Sequence, residues 1–138
     1  MRDLPDDLDW RLLTDNGFTD HLGPTWFAKL SEDEYVFRLE VEQKHINAGG
    51  VCHGGVSLSL LDNGMGGAAW EAGGRKPCAT IELDSHFLAA AKLGQTLEGW
   101  AKVLRCTSGL AFMEGGLSAG GRETMRARGV WKYLDIGK

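Results

Sequence analysis

The sequence predicts an α+β fold, in which a curved antiparallel sheet wraps around one long central helix. Three observations lead there. Residues 54–72 form an apolar stretch with no proline, closed by Gly73 and Gly74. Before it, YVFRLEV at 35–41 alternates apolar and polar positions. After it, the chain is strand-like throughout, broken only by short turn signals.

Taken in order, LPDDLDWRLLTDN at 4–16 predicts a short helix ended by Gly17. Residues 17–30 look irregular, because His21, Gly23 and Pro24 break any period. In YVFRLEV, Tyr35, Phe37, Leu39 and Val41 point one way, and Val36, Arg38 and Glu40 the other. That is the pattern of a half-buried strand. The stretch 54–72 reads as a buried helix, in which each glycine costs about 1 kcal/mol against alanine. Gly64, Gly66 and Gly67 are tolerable there if something packs closely against them. ATIELDSHF then sets Ile81, Leu83, Ser85 and Phe87 against Thr80, Glu82, Asp84 and His86. LEGWAKVLR, LAFMEGGLS and ETMRARGVWKYL complete a predicted four-stranded meander, with turns at 91–94, 107–109 and 119–121. One sheet face should pack on the helix, leaving the other to solvent or to an oligomer. No repeat, low-complexity segment or linker divides the 138 residues, so a single domain is expected over 1–138, with residues 1–30 as helix and irregular lead-in.

The bulk numbers narrow the function. Lys+Arg 15 against Asp+Glu 19 gives a net charge of −4, without the basic excess of a nucleic-acid binder. No window approaches a membrane span, and the acidic start MRDLPDDLDW has no apolar signal core, so a cytoplasmic location is expected. Three widely spaced cysteines argue against a disulfide framework. A metal site from His45, Cys52 and His53 lacks a familiar ligand spacing, and no metal is expected. Cys52 beside His53 is a poor thiolate nucleophile, since adjacent side chains point apart.

The chemistry concentrates in NAGGVCHGGVSLSLLDNGMGG, residues 47–67. Gly54 and Gly55 fall where the helix should begin. Its free N–H groups and partial positive charge could polarise a carbonyl oxygen resting there. The glycines could equally make only a tight turn. Asp62 follows Leu60 and Leu61 and is either hydrogen-bonded structure or a functional acid. Eight residues separate Asp62 from Gly54, about 12 Å along a helix. One reacting carbonyl cannot touch both. If both act on one bond, they come from different subunits, through antiparallel helices across a two-fold axis.

These residues resemble the hotdog-fold acyl-CoA thioesterases of the PaaI-like (phenylacetate-degradation) branch. The resemblance is carried by Asn47, by His53-Gly54-Gly55, by Asp62 nine residues past the histidine, and by Thr80 eighteen residues past the aspartate. AAKLGQTLEGWAKVLR and SGLAFMEGGLS look like later strands of that family, and the likeness covers roughly residues 34–133. It implies that Asp62 attacks the thioester as nucleophile or general base. Gly54 N–H would polarise the carbonyl. His53 would orient that carbonyl or the glycine turn. Asn47 would hold substrate or water, and Thr80 would bond the attacking water beside Asp62. Gly55, Asn63 and Trp70 are candidate substrate-binding residues. Glu71 and Glu114 are alternative acids, and Lys92, Arg105 and Arg126 are candidate phosphate contacts.

The resemblance implies an acyl-CoA substrate, no cofactor, and a homodimer that assembles into a dimer of dimers. No nucleic-acid or membrane partner is expected. Two other readings fit the same residues. One is an acyl-CoA hydratase or dehydratase, with His53 and Asp62 as the proton-transfer pair. The other is a non-catalytic acyl-CoA binding module.

Overall fold

The structure, a computed structural model, describes residues 3–135. The domain expected over 1–138 therefore has its extreme ends, residues 1–2 and 136–138, outside the described residues. A short strand β1 (Arg11–Leu13) leads into helix α1 (Phe18–Leu22), strand β2 (Thr25–Lys29) and strand β3 (Glu34–Glu40). A 3-10 turn at Gln43–His45 precedes the long helix α2 (Gly54–Ala72). Strands β4 (Cys78–Phe87), β5 (Thr96–Cys106), β6 (Leu110–Ala119) and β7 (Arg122–Tyr133) follow. They form one seven-stranded sheet in the order β1-β2-β3-β5-β6-β7-β4. Every pairing is antiparallel.

Helix α2 lies on one face of this sheet along most of its length, about 28 Å for 19 residues. Ser57, Leu60, Leu61, Gly64, Met65, Ala68 and Ala69 form its buried side. The helical glycines are explained by the rings opposite them. A Cβ at Gly64 or at Gly99 of β5 would collide with the Phe37 ring, so Phe37 sits in a slot made by two glycines. A Cβ at Gly67 would stand 3.2 Å from Phe27, and one at Gly66 would stand 3.2 Å from Trp131 Nε1. Each glycine costs about 1 kcal/mol of helix propensity. Burying one phenylalanine returns about 1.5–3 kcal/mol. Packing wins, and the helix keeps its glycines. Among the described residues, no helix is long and apolar enough to cross a membrane.

Four sequence expectations need correction. The helix expected at 4–16 is absent. Arg11–Leu13 instead pairs with β2, with Arg11 opposite Phe27, and Trp10 stacks on the Arg38 guanidinium at 4.1 Å. Sheet pairing and this stack override the local helical preference. Residues 17–30 are not irregular. Asp15 accepts from the Gly17 and Thr19 amides and starts α1, and Thr25, Phe27 and Ala28 of β2 are buried.

The predicted four-stranded meander holds only for β5, β6 and β7. Strand β4 crosses to the far edge and pairs with β7, while β5 pairs with β3. The connecting segment 88–95 makes no hairpin. Leu88 and Ala89 donate to Thr124 O, Ala91 O accepts from Cys52 N, and Gly94 donates to Val41 O. It spans the end of the sheet past the start of α2.

The alternation expected along β4 also fails at one point. A bulge between Thr80 and Glu82 shifts the register, so that Thr80 pairs with Trp131 and Glu82 with Val130. An extra residue reverses the parity of everything beyond it. Thr80 thereby faces α2 together with Phe87, and Ile81 is left 58% exposed.

Candidate active site

The site begins in the loop ahead of α2. Asn47 Oδ1 accepts from Gly49 N at 2.9 Å and Val51 N at 3.2 Å, and Asn47 N donates to Val51 O at 2.8 Å. Asparagine thus closes a tight loop in which Gly50 adopts φ +84°. His45 anchors it from beneath. Its Nδ1 accepts from Glu42 N at 2.9 Å, so its Nε2 carries the hydrogen given to Leu22 O at 2.6 Å. The His45 carbonyl accepts from His53 N at 2.8 Å. With both ring nitrogens occupied, His45 has no lone pair for a metal. Among the described residues no three His, Cys, Asp or Glu side chains converge on a metal position. Cys52 is buried, and that burial pushes its thiol up, away from the thiolate.

His53 is the N-cap of α2. Its Nδ1 accepts from Gly55 N at 2.8 Å, and its carbonyl accepts from Val56 N at 2.9 Å. The imidazole therefore holds the glycine turn and consumes the Gly55 amide. The Gly54 amide is different: it finds no acceptor among the described residues. One helix N–H is left pointing outward at the positive end of the dipole. The Phe87 ring walls this donor, because a Cβ at Gly54 would lie 3.0 Å from Phe87 Cε2. Sequence reading missed Phe87 in this role. Its signal was the shared face with Leu83 and Ser85, next to an exposed Leu88.

Asp62 lies two turns further along α2 and is half-buried. Thr80 Oγ1 donates to Asp62 Oδ1 at 2.6 Å, a charge-assisted bond that fixes the carboxylate rotamer. The other carboxylate oxygen has no protein partner among the described residues. Cys78, two residues before Thr80, gives its thiol hydrogen to Gly66 O, with Sγ at 3.8 Å. Burial, then the Asp62 charge, pushes the Cys78 thiol up. Asn63, beside Asp62, has a buried Nδ2 with no partner.

Other candidates sit elsewhere. Trp70 is near the C-terminus of α2, sixteen residues past Gly54, or about 24 Å. Arg11 and Arg75 stack on its ring at 5.6 and 5.2 Å. Both guanidiniums reach Glu71 Oε1, at 2.7 and 3.4 Å, so Glu71 is a structural ion-pair partner. Glu114 lies opposite Lys102 and Arg128 in the sheet, and its neighbour Gly115 faces Met65 of α2. Glu114 therefore projects from the face away from the helix. Arg126 pairs with Glu123 at 2.6 Å and stacks on Trp100, while Lys92 and Arg105 are exposed.

Within one chain, then, a donor at Gly54 and a supported carboxylate at Asp62 stand about 12 Å apart on one helix. The chain as a whole is similar to known proteins. The model of the thioesterase superfamily matches residues 49–125. A Pseudomonas aeruginosa protein named as an esterase is 33% identical over 113 residues, covering 81% of this chain and 84% of its own. Human acyl-coenzyme A thioesterase 13 is 30% identical over 93 residues, covering 66% of this chain and 65% of its own. The Escherichia coli PaaI protein from the phenylacetic acid degradation operon superposes with a TM-score of 0.76 at 20% identity. That match covers 84% of this chain and 83% of PaaI, and it speaks to the fold. The chain belongs to the thioesterase superfamily, and it is a thioester hydrolase with the hotdog fold.

Proposed function

We propose that this protein hydrolyses the thioester of an acyl- or aryl-acyl-CoA to the free acid and CoA, in a site shared by two copies of the chain. The observation that carries this reading is the separation of Gly54 from Asp62. The free Gly54 amide is an oxyanion donor, and Asp62, oriented by Thr80, is the base for an attacking water. Neither reaches the other's target in one chain. Strand β4 offers the means of pairing. It is a sheet edge ten residues long, with Ile81 and Phe87 both 58% exposed. An open apolar edge of that length favours a second strand.

In this scheme Gly54 of one copy polarises the thioester carbonyl while Asp62 of the other accepts a proton from water. His53 holds the glycine turn, and Asn47 shapes the loop and offers its Nδ2 to substrate. Gly55 keeps the helix start narrow, and Asn63 offers its unpartnered Nδ2 beside the acyl group. Trp70 stands outside the site. General-base help contributes about 10² to 10⁴ in rate, and one oxyanion donor about 10² to 10³. No cofactor enters. The acyl-CoA substrate class is supported by the name of the human relative.

Thiol release from a panel of acetyl-, hexanoyl-, decanoyl-, benzoyl- and phenylacetyl-CoA tests the proposal. Turnover that falls at least 100-fold in Asp62→Ala is the expected result. Hydration of an enoyl-CoA without thiol release, or tight binding with no turnover of any thioester, would overturn it. So would an active monomer.

A further inference from the structure

We propose that Trp131 supplies a hydrogen-bond donor to the attacking water, through its indole Nε1–H; the proposal rests on the thioesterase reading above. Three contacts locate the indole. Trp131 lies directly opposite Thr80 in the β4–β7 register. Its Nε1 lies 3.2 Å from where a Gly66 Cβ would stand. Gly66 follows Asp62 by four residues, so the two share a helix face about 5–6 Å apart. Thr80 in turn touches Asp62. The indole nitrogen, the threonine hydroxyl and the carboxylate thus surround one patch of α2.

The indole is enclosed in the core with its nitrogen on the Gly66 side of α2. Trp131 is only 1% exposed, yet its N–H has no acceptor among the described residues. The Gly66 carbonyl takes the Cys78 thiol. The described side-chain polar atoms that are both sealed and unpartnered are Asn63 Nδ2 and Thr124 Oγ1. The indole nitrogen is not among them, so what little of Trp131 reaches solvent includes this atom. A buried indole normally finds a partner for its single donor. Here glycine at 66 removes the methyl group that would cover it.

The missing role in the site matches. The Thr80 hydrogen is already committed to Asp62 Oδ1. A water between Asp62 Oδ2 and Trp131 would donate one hydrogen to the carboxylate and accept one from the indole. Its remaining lone pair would face the thioester. On attack that pair forms the new C–O bond, and the proton passes to Asp62. The carbonyl π pair moves to the oxygen held by Gly54 of the second copy. Collapse restores the carbonyl and breaks the C–S bond, and the CoA sulfur takes the proton from Asp62.

The test is Trp131→Phe, which removes the donor and keeps an aromatic ring, measured by thiol release on the best acyl-CoA of the panel. One neutral hydrogen bond is worth about five- to tenfold. A kcat lowered by about that factor, with KM within twofold, is expected. In an Asp62→Ala background the same substitution should have no further effect, which a merely structural role would not reproduce. Gly66→Ala is the second variant, because its methyl would stand 3.2 Å from Nε1 and cover it while displacing the indole by only a few tenths of an ångström. It should lower kcat similarly in a chain whose oligomeric state, by light scattering, is unchanged. If Trp131→Phe does not fold, Gly66→Ala decides. Unchanged kcat in a folded variant, or equal losses with and without Asp62, overturns the assignment. Wild-type protein that releases no thiol from any acyl-CoA would instead refute the function itself.

Discussion

Thr80→Val removes one hydroxyl and keeps a β-branched side chain suited to a strand. In the structure that hydroxyl is the protein donor to Asp62, at 2.6 Å. A hydrogen bond to a charged group is worth about 1.5–3 kcal/mol. Thr80 is exposed in the single chain, so solvent offsets part of it, and the lower end of that range applies. About 1.4 kcal/mol is a tenfold change in rate. Steady-state thiol release should therefore show kcat reduced about tenfold in Thr80→Val. Thr80→Ser, which keeps the hydroxyl, should stay within about threefold of wild type. Thermal melts should show both variants folded, since Thr80 is on an edge strand away from the core. A fully active Thr80→Val, or a Thr80→Ser as impaired as the valine variant, would refute the claim that this bond orients the base.

Gly64→Ala should destabilise the fold by about 1–3 kcal/mol although alanine is the better helix former, because its methyl would overlap the Phe37 ring; urea titration reads this directly. Tyr133→Phe should cost about 1 kcal/mol in the same titration by removing the 2.6 Å bond from Tyr133 Oη to Ala69 O. Alkaline pH should weaken the fold. Burial raises the thiols of Cys52 and Cys78 above their usual 9.0 and the Tyr133 phenol above its usual 10.0. Groups raised in the folded state hold protons that the unfolded chain gives up. Their contribution is complete below about pH 9 and is lost as pH rises through the folded values. The urea midpoint should accordingly fall as pH rises from about 9 to 11, and less steeply in Cys52→Ala; a flat profile would contradict the burial of these groups.

Several parts of this protein were legible from residues alone, and for definite reasons. The bounds of α2 follow from Gly54-Gly55 at one end and Gly73-Gly74 at the other, with no proline between. Strand β3 and the β5-β6-β7 hairpins follow from period-two alternation and short glycine turns, which are local signals. The roughly 12 Å between Gly54 and Asp62 also needs only sequence numbers and helix rise. Tertiary structure decided the rest. Pairing with β2 made residues 11–13 a strand despite their helical appearance. Strand β4 went to the far edge because segment 88–95 spends its hydrogen bonds on Thr124, Cys52 and Val41 rather than on a hairpin. A single bulge at Ile81 turned Thr80 toward Asp62, reversing the face that strict alternation assigns. Phe87 over Gly54, and the Trp131 nitrogen beside Gly66, arise from contacts between residues 33 and 65 positions apart. Helix and strand periods record which face of an element is apolar. They carry no record of which distant side chain will meet it, and that meeting is what makes the site.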